Sequence, residues 1–429
     1  MNSLPYDETI QCVQCGYCLP ACPTYLSKRT ETHSPRGRIN LVKLAAEGVI
    51  SYDELKEPID LCLGCRACET ACPSGVKYGK ILEETREALY HNHRENSSLP
   101  FQRTQDLLFR KVIPSSKQIT RGANLLWFYQ SSGLQKLARK TKLTDVLPGS
   151  LSSFEKILPE AASPAKRKKR AAVLKPSTSP KWKIAFFTGC IMDGLFEKVN
   201  SLSLELLKLA GCEVHVIPEQ TCCGALHAHS GRKQDAIQLA KKNIAAFEEM
   251  DIDYIVNNAG GCGAMLAEYD KLLENDEEWA ERAHAFVQKT RDISQILVQC
   301  ELPLGNVEMD RKVTYQPSCH MTNVQGVVDE PLQLLESIPG VIFKPLSKAE
   351  MCCGSAGIYN LVHFHESMKI LDEKMKGVEQ DVEMIVTTNP GCLLQMRLGV
   401  HREKLEEKIE VVHLVELIAA SCGLTLTDE

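Results

Sequence analysis

The chain has 429 residues, 19 cysteines and a formal net charge of −5. That length predicts about two to four domains with cores of their own, and the weak charge gives no general affinity for nucleic acid. The start MNSLPYDETIQC lacks a basic, then apolar, leader, and no run of about eighteen apolar residues follows, so the expectation is a cytoplasmic chain whose thiols stay reduced and free to bind metal.

Two cysteine quartets dominate the first eighty residues. Cys12, Cys15, Cys18 and Cys22 are followed by Pro23, and Cys62, Cys65, Cys68 and Cys72 by Pro73. Each reads C-x-x-C-x-x-C-x-x-x-C-P, the ligand run of a two-cluster ferredoxin, in which the fourth cysteine of each run serves the other cluster. A turn with a cysteine at every third position aims three thiolates at one point, and the proline keeps the fourth out of a helix. The predicted sets are Cys12, Cys15, Cys18 and Cys72 for one 4Fe–4S cluster and Cys62, Cys65, Cys68 and Cys22 for the other. Zinc sites favour pairs over quartets, and disulfide frameworks suit short secreted chains.

Between the quartets, Ser34, Pro35 and Gly48 bracket an apolar stripe of Ile39, Leu41, Val42, Leu44 and Ala45, which predicts a capped helix. Arg36 and Arg38 at its start have two readings, cations beside an anionic cluster or solvated charges. Helices are expected over Ile81 to His93, Phe101 to Val112 and Leu125 to Leu137. The stretch from Pro148 to Trp182 is rich in proline and serine and carries Lys166, Arg167, Lys168, Lys169 and Arg170, so it reads as a linker or exposed excursion. The basic run is expected to be solvated, with contact to acidic lipid or an acidic partner as the rival.

The second half repeats itself. KIAFFTGC ends at Cys190 and KVTYQPSC at Cys319; TCCG holds Cys222 and Cys223, and MCCG holds Cys352 and Cys353; IVNNAGGC ends at Cys262 and IVTTNPGC at Cys392. The offsets of 129, 130 and 130 residues mark a tandem duplication. Short apolar runs at Ile184 to Phe187, Val214 to Ile217 and Tyr254 to Val256 alternate with helical patterns, which predicts parallel sheets flanked by helices. Loops at the carboxyl ends of such strands line one crevice, so the four cysteines of each repeat are expected at one rim. Neighbouring cysteines on a regular strand point to opposite faces; Gly224 and Gly354 supply the freedom to bring both inward. Such a rim favours a metal or iron–sulfur centre. Cys212, Cys300 and Cys422 fall outside every motif and read as small buried hydrophobes, while His227, His229 and His320 read as supporting residues ahead of ligands. The expected boundaries are a dicluster module at 1–90, a helical connector at 91–146, a linker at 147–181 and the two repeats at 182–300 and 311–424.

These motifs resemble a known family. The repeats are similar to the cysteine-rich CCG domain of heterodisulfide reductases, and the whole order, with CVQCGYCLPACPTY from Cys12 and SPRGRI from Ser34, resembles the iron–sulfur subunits of glycolate oxidase. The resemblance implies an electron-transfer subunit that takes electrons from an FAD-containing glycolate or 2-hydroxy-acid dehydrogenase subunit and passes them to quinone, without catalysing on its own. Contact with the inner face of the membrane would then be peripheral. Related layouts serve anaerobic glycerol-3-phosphate and D-lactate dehydrogenases. No G-x-G-x-x-G follows a strand, so neither flavin nor NAD is expected in this chain. The sequence departs from the reductase pattern where Ala259 and Asn389 replace a further cysteine. Each rim therefore stands open between a 4Fe–4S cluster, a modified cluster, another metal and none, and disulfide-cleaving catalysis or a zinc scaffold are the rival roles.

Overall fold

A computed structural model of the chain describes residues 4–168, 170–305 and 307–424. Among the described residues before Val173 there is no strand. The predicted first helix runs Pro35–Ala46, with the Ser34 hydroxyl accepting from Gly37 N–H and Pro35 in the first turn. That cap satisfies a donor the helix cannot use internally. Helices Tyr52–Asp60 and Tyr78–Asn96 pack beside it around Ile39, Val42, Leu55, Ile59, Ile81 and Leu82.

The connector differs from its expected outline in two places. The element expected over Leu125 to Leu137 is two helices, Ser116–Ser131 and Leu134–Lys140, because Gly133 takes a positive φ of 81° between them. The segment expected over Phe101 to Val112 begins as Leu99–Asp106 and continues as a wider π turn over Leu107–Val112.

The stretch read as an exposed linker is largely built into the fold. Helix Gly149–Lys156 buries Phe154 and Glu155, the former in the core of the repeats. Arg139 grips the Glu155 carboxylate at 3.1 Å. Arg167 donates to Asn124 and Arg170 pairs with Asp193 and Glu197, so these two half-buried basic residues are tied into the fold, while Lys168 is exposed; Lys169 lies outside the described residues. The proline-rich composition hid these contacts because they depend on partners distant in sequence. Val173–Leu174 then forms an edge strand, β1, antiparallel to a strand of the first repeat.

The first repeat supplies β2 (Trp182–Phe186), β3 (Cys212–Val216), β4 (Tyr254–Asn257) and β5 (Thr290–Asp292). With β1 they form a sheet of order β1-β3-β2-β4-β5, parallel apart from β1. The second repeat supplies β6 (Arg311–Gln316), β7 (Val341–Phe343), β8 (Met384–Thr387) and β9 (Glu410–His413), all parallel in the order β7-β6-β8-β9. One continuous core, including Ile184, Val214 and Leu207 from the first repeat and Val313, Ile385 and Leu393 from the second, fuses the two. Burying apolar residues of both repeats together holds the two crevices in a fixed relation.

Candidate metal centres

In the dicluster module, Cys12, Cys15, Cys18 and Cys72 line one cavity, and Cys22, Cys62 and Cys65 line a second; Cys68 borders both. Cys15 is exposed, whereas Cys22, Cys62, Cys65 and Cys68 are all buried. The first group thus opens to solvent and the second faces inward. Burial pushes the Cys65 and Cys68 thiols up. At Cys62 burial acts the same way, but the Arg38 and Arg86 guanidiniums, with the Tyr78 hydroxyl and Gly64 N–H donating to Sγ at 3.4 Å, bring it below the ordinary thiol value.

Arg36 and Arg38, equivalent on sequence grounds, part company here. Arg36 pairs with Glu31 at 2.7 Å and donates to Gln14 O. Arg38 is 1% exposed; its Nε donates to Pro58 O at 2.6 Å and its Nη1 to Thr24 Oγ1 at 3.0 Å and Cys22 Sγ at 3.9 Å, while Nη2 has no partner. Among the described residues no carboxylate pairs with it. A buried cation of this kind needs an anion beside it. A thiolate-held iron–sulfur cluster is such an anion, so the donor set and its surroundings fit that group. No group of three or more His, Cys, Asp or Glu among the described residues closes on a point as a single-ion site does.

The repeat cysteines converge from the segments that follow three strands of each sheet, the last cysteine standing in the first turn of a helix, Gly260–Leu266 or Pro390–Arg402. In the first repeat, Cys190 Sγ lies 3.8 Å from Cys222 Sγ, Cys222 meets Cys223, and Cys223 meets Cys262. In the second, Cys319 Sγ lies 3.9 Å from Cys352 Sγ, Cys352 meets Cys353, and Cys353 meets Cys392. The hydrogen bond to Cys222, then burial, pushes Cys190 up; Cys352 and burial do the same to Cys319. Gly224 and Gly354 both stand at φ +91°, the turn that lets each cysteine pair face inward. At Gly354 a Cβ would lie 2.9 Å from Ser367 O, so the loop also sits too close to its helix for a side chain.

The second rim abuts the dicluster module. Leu61, Leu63 and Cys65 pack with Met351, Cys352 and Tyr359, and Cys319 lies against the same cluster. Asn323 donates to Cys65 O at 3.0 Å, and His320 donates from Nε2 to Gly64 O at 3.0 Å. Burial and the neighbouring His229 push the His320 pKa down to about 4, so its ring is a neutral donor at pH 7. His227 likewise serves packing, donating to Phe109 O at 2.6 Å, and His229 lies 3.6 Å from Glu83. Arg66, which sequence reasoning passed over, grips Glu69 at 2.8 Å and Glu268 at 2.7 Å, tying the module to the first repeat. Its signal, a lone arginine inside the second quartet, was indistinguishable from a solvated one.

The two rims also meet each other. Asn389 donates from Nδ2 to Cys392 Sγ at 3.6 Å, and its Oδ1 accepts from Gly261 N–H, next to Cys262, at 3.0 Å. Ala259, at the matching place in the first repeat, offers no such group. Cys212 and Cys300 face each other at 3.7 Å in the core, Cys212 at the amino end of β3.

Comparison with known proteins follows the same division. The sequence matches the family described as 4Fe-4S dicluster domain over residues 8–76, the glycolate oxidase iron-sulfur subunit linker region over 102–158, and the cysteine-rich domain over 184–267 and 313–397. It is 49% identical over 422 residues to the probable glycolate oxidase iron-sulfur subunit of Bacillus subtilis (strain 168), covering 97% of this chain and 94% of that one. The glycolate oxidase iron-sulfur subunit of Escherichia coli (strain K12) is 30% identical, with 96% and 95% covered. Lactate utilization protein A of Exiguobacterium sp. is 34% identical over 237 residues, 55% of this chain and 96% of its own. Two sulfur-rich modules, a matching linker between them and near full-length similarity place the chain in the family of glycolate oxidase iron-sulfur subunits.

Proposed function

We propose that this chain is the electron-transfer subunit of an acceptor-linked glycolate or related 2-hydroxy-acid dehydrogenase. An FAD-containing partner subunit oxidises the substrate, and this chain carries the electrons towards quinone, touching the membrane at most peripherally. Bound 4Fe–4S clusters supply one-electron carriage. The residues proposed to hold them are Cys12, Cys15, Cys18 and Cys72, and Cys62, Cys65, Cys68 and Cys22. The repeat rims, Cys190, Cys222, Cys223 and Cys262 and Cys319, Cys352, Cys353 and Cys392, are proposed as further stations.

The observation that carries this reading is the succession of sulfur-bearing groups from the exposed Cys15, through Cys68, which borders both dicluster cavities, and the buried Cys65 to Cys319, Cys352, Cys353 and Cys392, and across Asn389 to Gly261 beside Cys262. The protein's share of the work is to hold those groups at fixed separations, to exclude water from the inner ones, and to place Arg38, Gly64 N–H and the Tyr78 hydroxyl where they favour extra negative charge near Cys22 and Cys62. Among the described residues no helix is long and apolar enough to cross a membrane, in keeping with delivery to quinone through a partner or at a surface.

The test is anaerobic mixing of the purified chain with its flavoprotein partner and glycolate, followed by low-temperature EPR. Reduced-cluster signals are expected only when both partner and glycolate are present. Reduction by lactate in place of glycolate would move the substrate to the other 2-hydroxy acid, the one named in the lactate utilization relatives that match about half of this chain. No reduction by either substrate overturns the reading.

A further inference from the structure

The two repeats are built alike, yet one buried position differs in charge. Gly224 packs over Ala236 on helix Lys233–Glu248, and Gly354 packs over Ser367 on helix Phe364–Met375. Seven residues further along each helix (236 to 243 and 367 to 374) stand Asn243 and Lys374. Both reach up to the loop that carries the cysteine pair. Asn243 Oδ1 accepts from Thr221 N–H at 2.8 Å and its Nδ2 donates to Cys222 O at 3.1 Å. Lys374 Nζ donates to Lys348 O at 2.6 Å, Ala349 O at 3.0 Å and Met351 O at 2.9 Å. The same structural task is done by a neutral amide in one repeat and by a cation in the other.

Lys374 is 1% exposed, and among the described residues no carboxylate pairs with it. Three carbonyls satisfy its N–H groups but leave its charge uncancelled. One of these carbonyls, Met351 O, immediately precedes Cys352, and the charged groups that act on the ammonium are the thiols of Cys353, Cys352 and Cys392 and the exposed Glu350. Beside the first rim the comparable cation is Arg170, which shares a cavity with Cys190 and Cys222 but is already paired with Asp193 and Glu197. A buried unpaired ammonium is costly unless an anion accompanies it, and such a cation favours the more negative oxidation state of a neighbouring redox centre.

We propose that the second rim (Cys319, Cys352, Cys353, Cys392) holds a net-negative iron–sulfur centre whose reduction potential Lys374 raises above that of anything held by the first rim, making the rim that touches Cys65 the station where electrons collect. The inference rests on the proposed electron-transfer role and adds the ranking of the two rims. Lys374 is a potential-setting residue here, acting through the protein and not as a ligand. Burial pushes its pKa down to about 8, the thiols opposing that, so it remains cationic at neutral pH. Asn389 then links this station to the first rim through Cys392 and Gly261.

The experiment is an anaerobic redox titration of the full chain followed by EPR, with the second-rim signal defined as the one lost in Cys352→Ala and the first-rim signal as the one lost in Cys222→Ala. In Lys374→Met the second-rim signal is expected to need a more reducing potential, its reduced-to-oxidised ratio at fixed potential falling at least tenfold, which is about 59 mV for a one-electron centre. The first-rim signal and the dicluster signals stay in place, and Lys374→Arg keeps the wild-type value. If the Met variant does not fold, Lys374→Gln, which retains a donor for the carbonyls, is expected to show the same shift. An unmoved second-rim midpoint at wild-type iron content overturns the proposal. So does a chain with about eight irons and no signal sensitive to Cys352→Ala, which leaves the dicluster relay standing; loss of the dicluster signals themselves would instead defeat the electron-transfer reading beneath it.

Discussion

Asp292 offers a quantitative check on the packing that holds the two rims together. It ends β5, caps helix Ile293–Gln299, and lies 1% exposed where that helix packs on helix Asp329–Glu336 of the second repeat. Oδ1 accepts from Ser294 N–H at 2.8 Å and Ser294 Oγ at 2.6 Å, while Oδ2 is buried without a partner. Burial, opposed by the Ser294 bonds and aided by Glu330, pushes the carboxyl from its ordinary 3.8 up to about 6. At about 1.36 kcal/mol per pKa unit, ionising it in place costs the fold about 3 kcal/mol. Because the folded pKa is the higher one, the stabilising contribution is complete below about pH 4 and is lost as pH rises through about 6. Asp292→Asn keeps the Oδ1 acceptor and removes the charge. Whatever the fixed cost of the new amide, the stability difference between variant and wild type is expected to move in the variant's favour by about 1.4 kcal/mol between pH 5 and pH 8, from two-pKa linkage with 3.8 and 6. Denaturant unfolding of both proteins at several pH values measures it. A gap that stays constant across that range would show that Asp292 is not ionised in a buried setting and refute the reasoning.

Other perturbations probe the remaining contacts. Phe154→Ala is expected to destabilise by about 3–5 kcal/mol, the cost of emptying a core site; a thermal midpoint unchanged from wild type would return the 147–181 stretch to a dangling linker. Arg66→Met removes charged hydrogen bonds to Glu69 and Glu268, with an expected loss of about 3 kcal/mol and faster protease nicking between the dicluster module and the first repeat; equal nicking rates would count against this docking. Arg38→Met is expected to lower the midpoint of one dicluster signal and leave the other in place, as read by EPR titration, since Arg38 contacts Cys22 and not the Cys12 group; two equal shifts would contradict that assignment of charge to site.

Much of the candidate site was legible in the sequence because its rules are local. Eight cysteines at fixed short spacings, a proline after each quartet, and glycines after each cysteine pair follow from what a turn can do within a few residues. The repeat, and with it the convergence of Cys190, Cys222, Cys223 and Cys262, followed from strand–helix alternation, which sends every loop to one edge of a parallel sheet. The capped helix from Pro35 was equally clear, since Ser34, Pro35 and Gly48 act on their own neighbours.

Tertiary structure decided what no window of sequence contains. Arg36 and Arg38 are two residues apart and chemically identical; burial beside Cys22 without a carboxylate distinguishes one from the other. Phe154, β1 and Arg170 joined the fold through partners far along the chain, which composition cannot register. Lys374 looked like any helix lysine until the chain brought it beneath the second cysteine pair, at the place its duplicate gives to Asn243. The candidate ligand pattern was set by residue type and spacing, because thiol geometry is short-ranged; the depth of each cysteine group and the charge around it were set by the fold, because electrostatic cost depends on which groups the folded chain keeps from water.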